Sequence, residues 1–452
     1  MARARVQGFR AFRPKLVSLA VASCFVSSTA LANPTGAQVV NGQASIIQNG
    51  ALLQITNSPN SIINWQSFSI GASEITRFIQ QSQASAVLNR VTGSAGAINP
   101  SVILGALQSN GRVFLVNPSG ILFGAGSQVD VAGLVATSLN LSNADFLAGK
   151  LKFTDGAGAG SVINQGNITT GAGGEVYLVG NAVTNNGIIT SPNGTVALAA
   201  GNSVELVNPG TPNLRVEITA PDNEARNLGQ IMVESGRAGI YAGLINNSGS
   251  IRADSAVAEG GKILLKATKS VTLESTSILD ASGNGGGRIE VLAKDGGTAN
   301  IAGRLDVSAP VSGDGGFIET SADVVKIADG TVVRGNAPHG KPGTWLIDPT
   351  DFTIFGGAGT QSASGIGADT LVDSLNNGTL NVTIATDSAG AYAGDINVSA
   401  PVAWSSANSL TLTAHNNVNV DAPISNSGTG GLNIYAGWDG NGDPAAPVVR
   451  PG

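Results

Sequence analysis

The sequence predicts an all-β solenoid, a parallel β-helix, and three observations predict it. Three stretches repeat: Val-Ile-Asn-Gln-Gly-Asn-Ile from Val162, Val-Thr-Asn-Asn-Gly-Ile-Ile from Val183 and Leu-Ile-Asn-Asn-Ser-Gly-Ser-Ile from Leu244. Gly166 and Gly187 lie 21 positions apart, and Gly187 and Gly249 lie 62 apart, close to three more steps of that size. A second motif is Gly followed by alternating aliphatic residues, at Gly174, Gly194, Gly261 and Gly287. The composition agrees: 62 glycines, 12% charged residues and 4% aromatic residues suit many short strands between tight turns.

A period near 21 that drifts upward at insertions is the mark of a solenoid. Leucine-rich repeats share the length but need Leu at fixed spacing and a helical half-turn. Here Val and Ile alternate, with little helix-forming material between Gly and Asn turns. Each coil then supplies short strands that pair in parallel with the next coil about 4.8 Å away. The residues after the leader predict on the order of 20 coils and a rod of roughly 100 Å. Inward Val, Ile, Leu and Ala stack on like residues, and Asn at turns forms hydrogen-bonded ladders.

In chain order, residues 1–32 read as a secretory signal. Arg3, Arg5, Arg10, Arg13 and Lys15 precede an apolar stretch from Leu16 to Val26, and Ala30-Leu31-Ala32 places cleavage before Asn33. A rival cut at Val21-Ala22-Ser23-Cys24 would leave Cys24 acylated. Removing the five leader cations from 24 leaves 19 against 30 acidic residues, a net charge of −11 with no long basic cluster. That excludes nucleic acid as a partner, because phosphate neutralisation needs a basic stripe. The lone cysteine, Cys24, lies in the leader, so no disulfide staples the rest.

Residues 33 to about 73 form the candidate N-terminal cap, since open solenoid ends are exposed sheet edges. Residues 141–153 could hold one short helix N-capped by Ser142 or Asn143. The stretch around Pro221, Ala-Pro-Asp-Asn-Glu-Ala-Arg-Asn-Leu-Gly-Gln-Ile-Met-Val, reads as an excursion that breaks the repeat. A boundary falls near His339, after which strand-like alternation resumes, and the Gly- and Pro-rich tail reads as loose.

Little in the chain points to catalysis. Parallel β-helices include polysaccharide-degrading enzymes, whose sites need clustered carboxylates on one face. The densest sets here are Asp348 with Asp351, and Asp280 with Asp306 on a repeated Leu-Asp-x-Ser unit, the latter read as a solvated turn ladder. His339 and His415 lie 76 residues apart with no other ligand types beside them, so they read as polar residues on the surface and not as metal ligands. Asp439-Gly440-Asn441-Gly442-Asp443 opens like a calcium loop but lacks the downstream Glu. The expectation is no enzyme, no cofactor and no metal. Asn117-Pro118-Ser119-Gly120, between Val113–Val116 and Ile121–Phe123, suits a type I turn, which takes Asn first, Pro second and Gly fourth.

The residues around that turn carry a resemblance. Asn-Pro-Thr-Gly-Ala-Gln-Val-Val-Asn-Gly-Gln-Ala-Ser-Ile from Asn33, Ile-Ile-Asn-Trp-Gln-Ser-Phe-Ser-Ile from Ile62, Ala-Ser-Ala-Val-Leu-Asn-Arg-Val-Thr-Gly from Ala84, the run from Ile98 to Leu139 and Ala-Asp-Phe-Leu-Ala-Gly-Lys-Leu-Lys-Phe from Ala144 together resemble the secretion domain of filamentous-haemagglutinin-type exoproteins, the passengers of two-partner secretion. The likeness is dense from residue 33 to about 200. Gly-Thr-Trp-Leu-Ile-Asp-Pro from Gly343 and the stretch from Ser409 resemble segments of the family's large adhesins.

The resemblance implies a right-handed parallel β-helix with a cap, and domains at 33–220 (secretion), 221–340 (continuing repeats) and 341–452 (adhesin-like repeats). It implies passage through the periplasm to an outer-membrane barrel transporter, and a secreted or cell-surface location on a Gram-negative bacterium. It implies a host or neighbouring-cell receptor or glycan as a further partner. The function expected is an adhesin-type exoprotein; a β-helical polysaccharide-degrading enzyme and a ligand-capture or toxin-carrier member are the alternatives. The family signature Asn-Pro-Asn-Gly, implied to serve transporter recognition, falls on Asn117, Pro118, Ser119 and Gly120, with Ser119 replacing Asn. A second signature, Asn-Pro-Asn-Leu, is replaced by Phe78-Ile79-Gln80-Gln81.

Overall fold

A computed structural model describes residues 33–155, 158–209, 214–255, 260–357, 363–388 and 392–438. Residues 1–32 with Cys24, where a leader is expected, and the segment 439–443 lie outside these residues. The chain winds as a parallel β-helix, and nearly all its strands join one continuous sheet. Three parallel ladders run along it. One passes from Leu52–Asn57 through Ile75–Ile79 to Val332–Arg334. A second follows Ala86–Val91, Thr195–Ala200 and Leu380–Ala385. The third follows Ser101–Ile103, Ala182–Asn185 and Ile396–Val398. Long strands such as Asn167–Gly180 and Lys262–Leu273 bend across two ladders, with a register shift at the corner where they join.

Columns of like residues hold the coils together. Ile168, Ile189, Ile231, Ile251, Leu279, Leu305 and Val333 pair in register down the inside of one ladder, all fully buried. At one corner Asn164 donates to Asn185, Asn185 to Asn227 and Asn227 to Asn247, at 2.8, 2.8 and 2.7 Å. All four are fully buried, and Asn247 passes the chain on to Ser277. Glycine columns mark the corners too: a Cβ on Gly187, Gly229 or Gly249 would stand 2.1 Å from the carbonyl oxygen of the column's preceding glycine. No other residue permits that approach, which accounts for the glycine content.

The steps along the Asn column are 21, 42 and 20 residues, so Gly187 to Gly249 spans two coils and not three. The stretch after Pro221 is not an excursion: Ala225 and Asn227 pair with Val183 and Asn185, and Gln230–Met232 with Ile188–Thr190. The insertion lies just before it, where Ser203–Val207 and Arg215–Thr219 leave the helix as an antiparallel pair. Farther on, bonded neighbours lie 28 residues apart, so the coils are longer and fewer than a 21-residue pitch predicts.

The cap is where it was expected. Gln38–Asn41 runs antiparallel to Ser61–Trp65, and Ala44–Asn49 antiparallel to Leu52–Asn57, before the first parallel pairing begins. Trp65 and Phe68 seal it edge to face, centroids 5.7 Å apart and almost fully buried. The short helix α1 (Asn143–Leu147) is also present, with Ser142 accepting from the Asp145 N–H at 3.0 Å. The boundary near His339 does not interrupt the ladder, because Gly343–Asp348 pairs with the strands on either side of it. A helix that was not expected, α2 (Ala368–Asn376), lies between Val332–Arg334 and Val402–Trp404 and buries Leu371 and Leu375 in the core. Its apolar residues Ala368, Leu371, Val372 and Leu375 fall at helical spacing.

A second, four-stranded antiparallel sheet packs on the outside: Asn140–Leu141, Leu151–Thr154, Ser203–Val207 and Arg215–Thr219. It covers the outward side chains of Phe114, Val116, Val135, Tyr177, Val179 and Tyr241 in a separate apolar cluster. Strands under it are buried on both faces. Their sequences, Val-Tyr-Leu-Val and Val-Ala-Leu-Ala-Ala, are therefore continuously apolar. Past Tyr241 the cover ends, and Lys262 and Lys266 in Lys-Ile-Leu-Leu-Lys turn outward.

Candidate functional site

The sequence-predicted site is a turn built into the helix wall. Gly120 N–H donates to Asn117 O at 2.9 Å, closing it. Gly120 has φ +106°, a conformation that favours glycine, and a Cβ there would meet Ser161 O at 2.9 Å. The Asn117 side chain is fully buried. Its Nδ2 donates to Asn99 O and to Ser101 Oγ, both at 2.9 Å, and its Oδ1 accepts from Ser119 N–H at 3.0 Å. Ser119 Oγ donates to Ile98 O at 2.6 Å. The next coil docks on the turn through Gly160 N–H to Pro118 O at 2.8 Å. Of the four residues only Pro118 is exposed, with Ser119 half-buried. Ser suits the third position because its hydroxyl ties the turn to the coil below.

Other residues that carry the resemblance are structural as well. Trp65 Nε1 donates to Asn89 Oδ1 at 3.0 Å, and Asn89 Nδ2 to Phe114 O at 3.2 Å, joining three coils inside the core. The Arg90 guanidinium leaves the same strand outward and donates to Asn143 Oδ1 at 2.6 Å and to Leu141 O, tying the outer sheet and α1 to the helix. Burial lowers its pKa from the ordinary arginine value. At the position of the missing second signature, Phe78 is core, and buried Gln80 donates to Ser109 Oγ at 3.1 Å and Arg112 O at 3.0 Å.

The acidic sets resolve into turns. Asp280 and Asp306 stack in register, and each accepts the N–H of the Ser two positions on, at 3.1 and 2.9 Å. The ladder is only partly solvated, since Asp306 is 5% exposed and paired with Arg304. Asp351 Oδ1 is occupied by the N–H groups of Gly394 and Asp395 at 2.8 and 2.9 Å. His339 is exposed and His415 half-buried. Among the described residues no group of three His, Cys, Asp or Glu could hold a metal, and no helix is long and apolar enough to cross a membrane.

One feature escaped sequence reading: a polar trench where the first and second ladders meet. Its walls are the corner at residues 83–84 and the glycine loop at 171–174. Its floor crosses two tighter corners, at Ser109, Asn110 and Arg112 and at Asp130, Val131 and Ala132, and encloses about 540 Å³. Gly133 lies in register between Arg112 and Glu175. Lacking a side chain, it lets Arg112 Nη2 reach Glu175 Oε2 at 2.6 Å across a whole coil. A second recess of about 520 Å³ shares Ser109, Asn110 and Asp130 and extends to Arg77, Gln108 and Ile79. The two ionic partners are 63 residues apart in sequence, and only the coil register brings them together.

Comparison with known proteins agrees with this architecture. A family profile described as the TPS secretion domain matches residues 27–291. A heme/hemopexin-binding protein of Haemophilus influenzae strain Rd is 34% identical over 203 residues, 42% of this chain and 22% of that protein. Another heme/hemopexin-binding protein of Haemophilus influenzae is 34% identical over 109 residues, 24% of this chain and 11% of that protein. The chain thus matches about a fifth or less of these relatives' length. The crystal structure of the HMW1 secretion domain from Haemophilus influenzae superposes with a TM-score of 0.58 over 89% of this chain and 100% of that one, at 24% identity, and shares the fold. With the profile spanning more than half of its residues, the chain belongs to the family of TPS secretion domains: it is an exoprotein of two-partner secretion, exported by a cognate outer-membrane transporter to the surface or surroundings of a Gram-negative bacterium.

Proposed function

We propose that this exoprotein is an adhesin-type shaft without enzymatic activity, and that its own folding draws it outward. The observation that carries this reading is the continuity of the columns. Aliphatic, Asn and Gly columns run from coil to coil, so each coil completes its hydrogen bonds and buries its apolar face only on its neighbour. A coil formed outside cannot slip back without exposing residues such as Val183, Ile189, Val196 and Leu198. No nucleotide is needed for such a bias. The proposed recognition of the Asn117-Pro118-Ser119-Gly120 turn divides by exposure: Pro118 offers the contact surface, while Asn117 and Gly120 hold the turn.

The test is secretion with and without the cognate transporter. Release is expected only with it, and deletion of 117–120 is expected to trap the chain in the periplasm. Pro118→Ala should fold normally yet be released less; equal release with native stability would remove the recognition role. A second reading, ligand capture, is favoured by the two relatives named for heme and hemopexin binding. Purified protein that binds hemin or hemopexin but confers no attachment to cells would favour capture over adhesion. Turnover of a polysaccharide would overturn both.

A further inference from the structure

We propose that the trench between residues 83–84 and 171–174 binds a linear, uncharged oligosaccharide. This deepens the adhesin reading and rests on it only in requiring the folded domain to stand outside the cell. The charges balance, the two cations Arg77 and Arg112 against the two carboxylates Asp130 and Glu175. A polyanion such as nucleic acid or a sulfated glycan would bring its charge against two carboxylates. An extended peptide has no edge to pair with, because Gln128–Thr137 in the floor is hydrogen-bonded to a strand on each side. Planar carboxylate, guanidinium and amide groups match vicinal hydroxyls, which donate to the first and accept from the others.

The individual groups are placed for this. Asp130 is exposed, and no hydrogen bond or ion pair engages its carboxylate among the described residues. Arg77 uses Nε on Gln108 Oε1 at 2.9 Å, and the strand register sets Arg77, Gln108 and Asp130 in one row across three coils. Arg112 is held by Glu175 and lies 5.5 Å from the Phe114 ring, so its direction is fixed before any ligand arrives. Ile79, 40% exposed at the far recess, offers an apolar patch to the C–H face of a sugar ring. Both recesses fall in the volume range of small-ligand clefts.

The experiment uses the purified full chain and uncharged linear hexasaccharides of glucose, galactose, mannose and N-acetylglucosamine, with a heparin hexasaccharide for comparison. At least one uncharged probe is expected to bind saturably by calorimetry and to slow amide deuteration at 108–112, 128–132 and 171–175. Asp130→Asn should weaken it about fivefold, the loss of one hydrogen bond. Gly171→Trp should abolish it, since open space surrounds that glycine and the fold tolerates the side chain. Binding of heparin alone, protection elsewhere, no binding, or full binding by both variants at native melting temperature would each overturn the site. Cell attachment that survives two variants which have lost the sugar keeps both the site and adhesion and places attachment on another surface. Saturable trench binding without attachment keeps the site and overturns adhesion.

Discussion

At the scale of single residues, polar side chains are used as structure. Asn185 is fully buried and both accepts from and donates to its neighbours in the column, so truncating it would orphan amide groups on two other coils. Tyr241 sits where the outer sheet covers the helix, 3% exposed. Burial pushes its hydroxyl up to about 12 from 10.0; Arg237 opposes the shift and Glu290 adds to it. Below pH 10 neither folded nor unfolded chain ionises this tyrosine. Between pH 10 and 12 the unfolded chain releases the proton and the folded one keeps it, so stability falls as pH rises. Tyr241→Phe should lose that part of the fall, roughly 2 kcal/mol at pH 12, in urea unfolding compared with the parent chain. The Asn column was readable beforehand, because its members recur beside Gly in three similar stretches. The fourth member was hidden: in Glu-Ala-Arg-Asn-Leu-Gly-Gln-Ile, charged residues fill the outward positions and Ala225 stands in for Val or Ile.

At the scale of elements, strand alternation was legible and strand destination was not. Val-Glu-Leu-Val in the outer sheet alternates as any half-buried strand does, and a period of two cannot tell an antiparallel hairpin from a rung of the helix. Helix α1 was legible through its cap, whereas α2 starts after Gly367 with no capping side chain and sits inside a strand-rich region. The trench had no local signal at all, since its charged pair meets through register alone. The outer sheet depends on Arg90, the tie from the helix to Leu141 and Asn143. Arg90→Met keeps most of the packing volume and removes both bonds. We expect a loss of about 2 kcal/mol in urea unfolding and faster proteolysis at Lys150, beside the loosened α1. Unchanged cleavage at Lys150 would mean that the apolar cluster alone holds the outer sheet.

At the scale of the whole molecule, contacts connect each coil mainly to its two neighbours, as in a one-dimensional chain of units. Strands paired on both sides should then open only together with the coils around them. Hydrogen exchange is expected to be slowest at 176–200, 238–253 and 262–301. It should be fastest among the strands at Val418–Val420 and Leu432–Ala436, whose outer edges are unpaired among the described residues and where Val420 and Ile434 are exposed. Uniform protection along the chain would contradict a nearest-neighbour architecture.

The outer sheet is woven from two inserts, one ending at Thr154 and the other beginning at Ser203, so it cannot close until both have left the membrane. Until that moment the apolar cluster on the wall has only the first insert over it, through Phe146 edge to face with Phe114 at 5.1 Å, and lacks Val204, Leu206 and Val216. The joining of Leu151–Thr154 to Ser203–Val207 therefore works as a latch: it wets the surface over at one defined stage of emergence, and a chain stalled before it would clump.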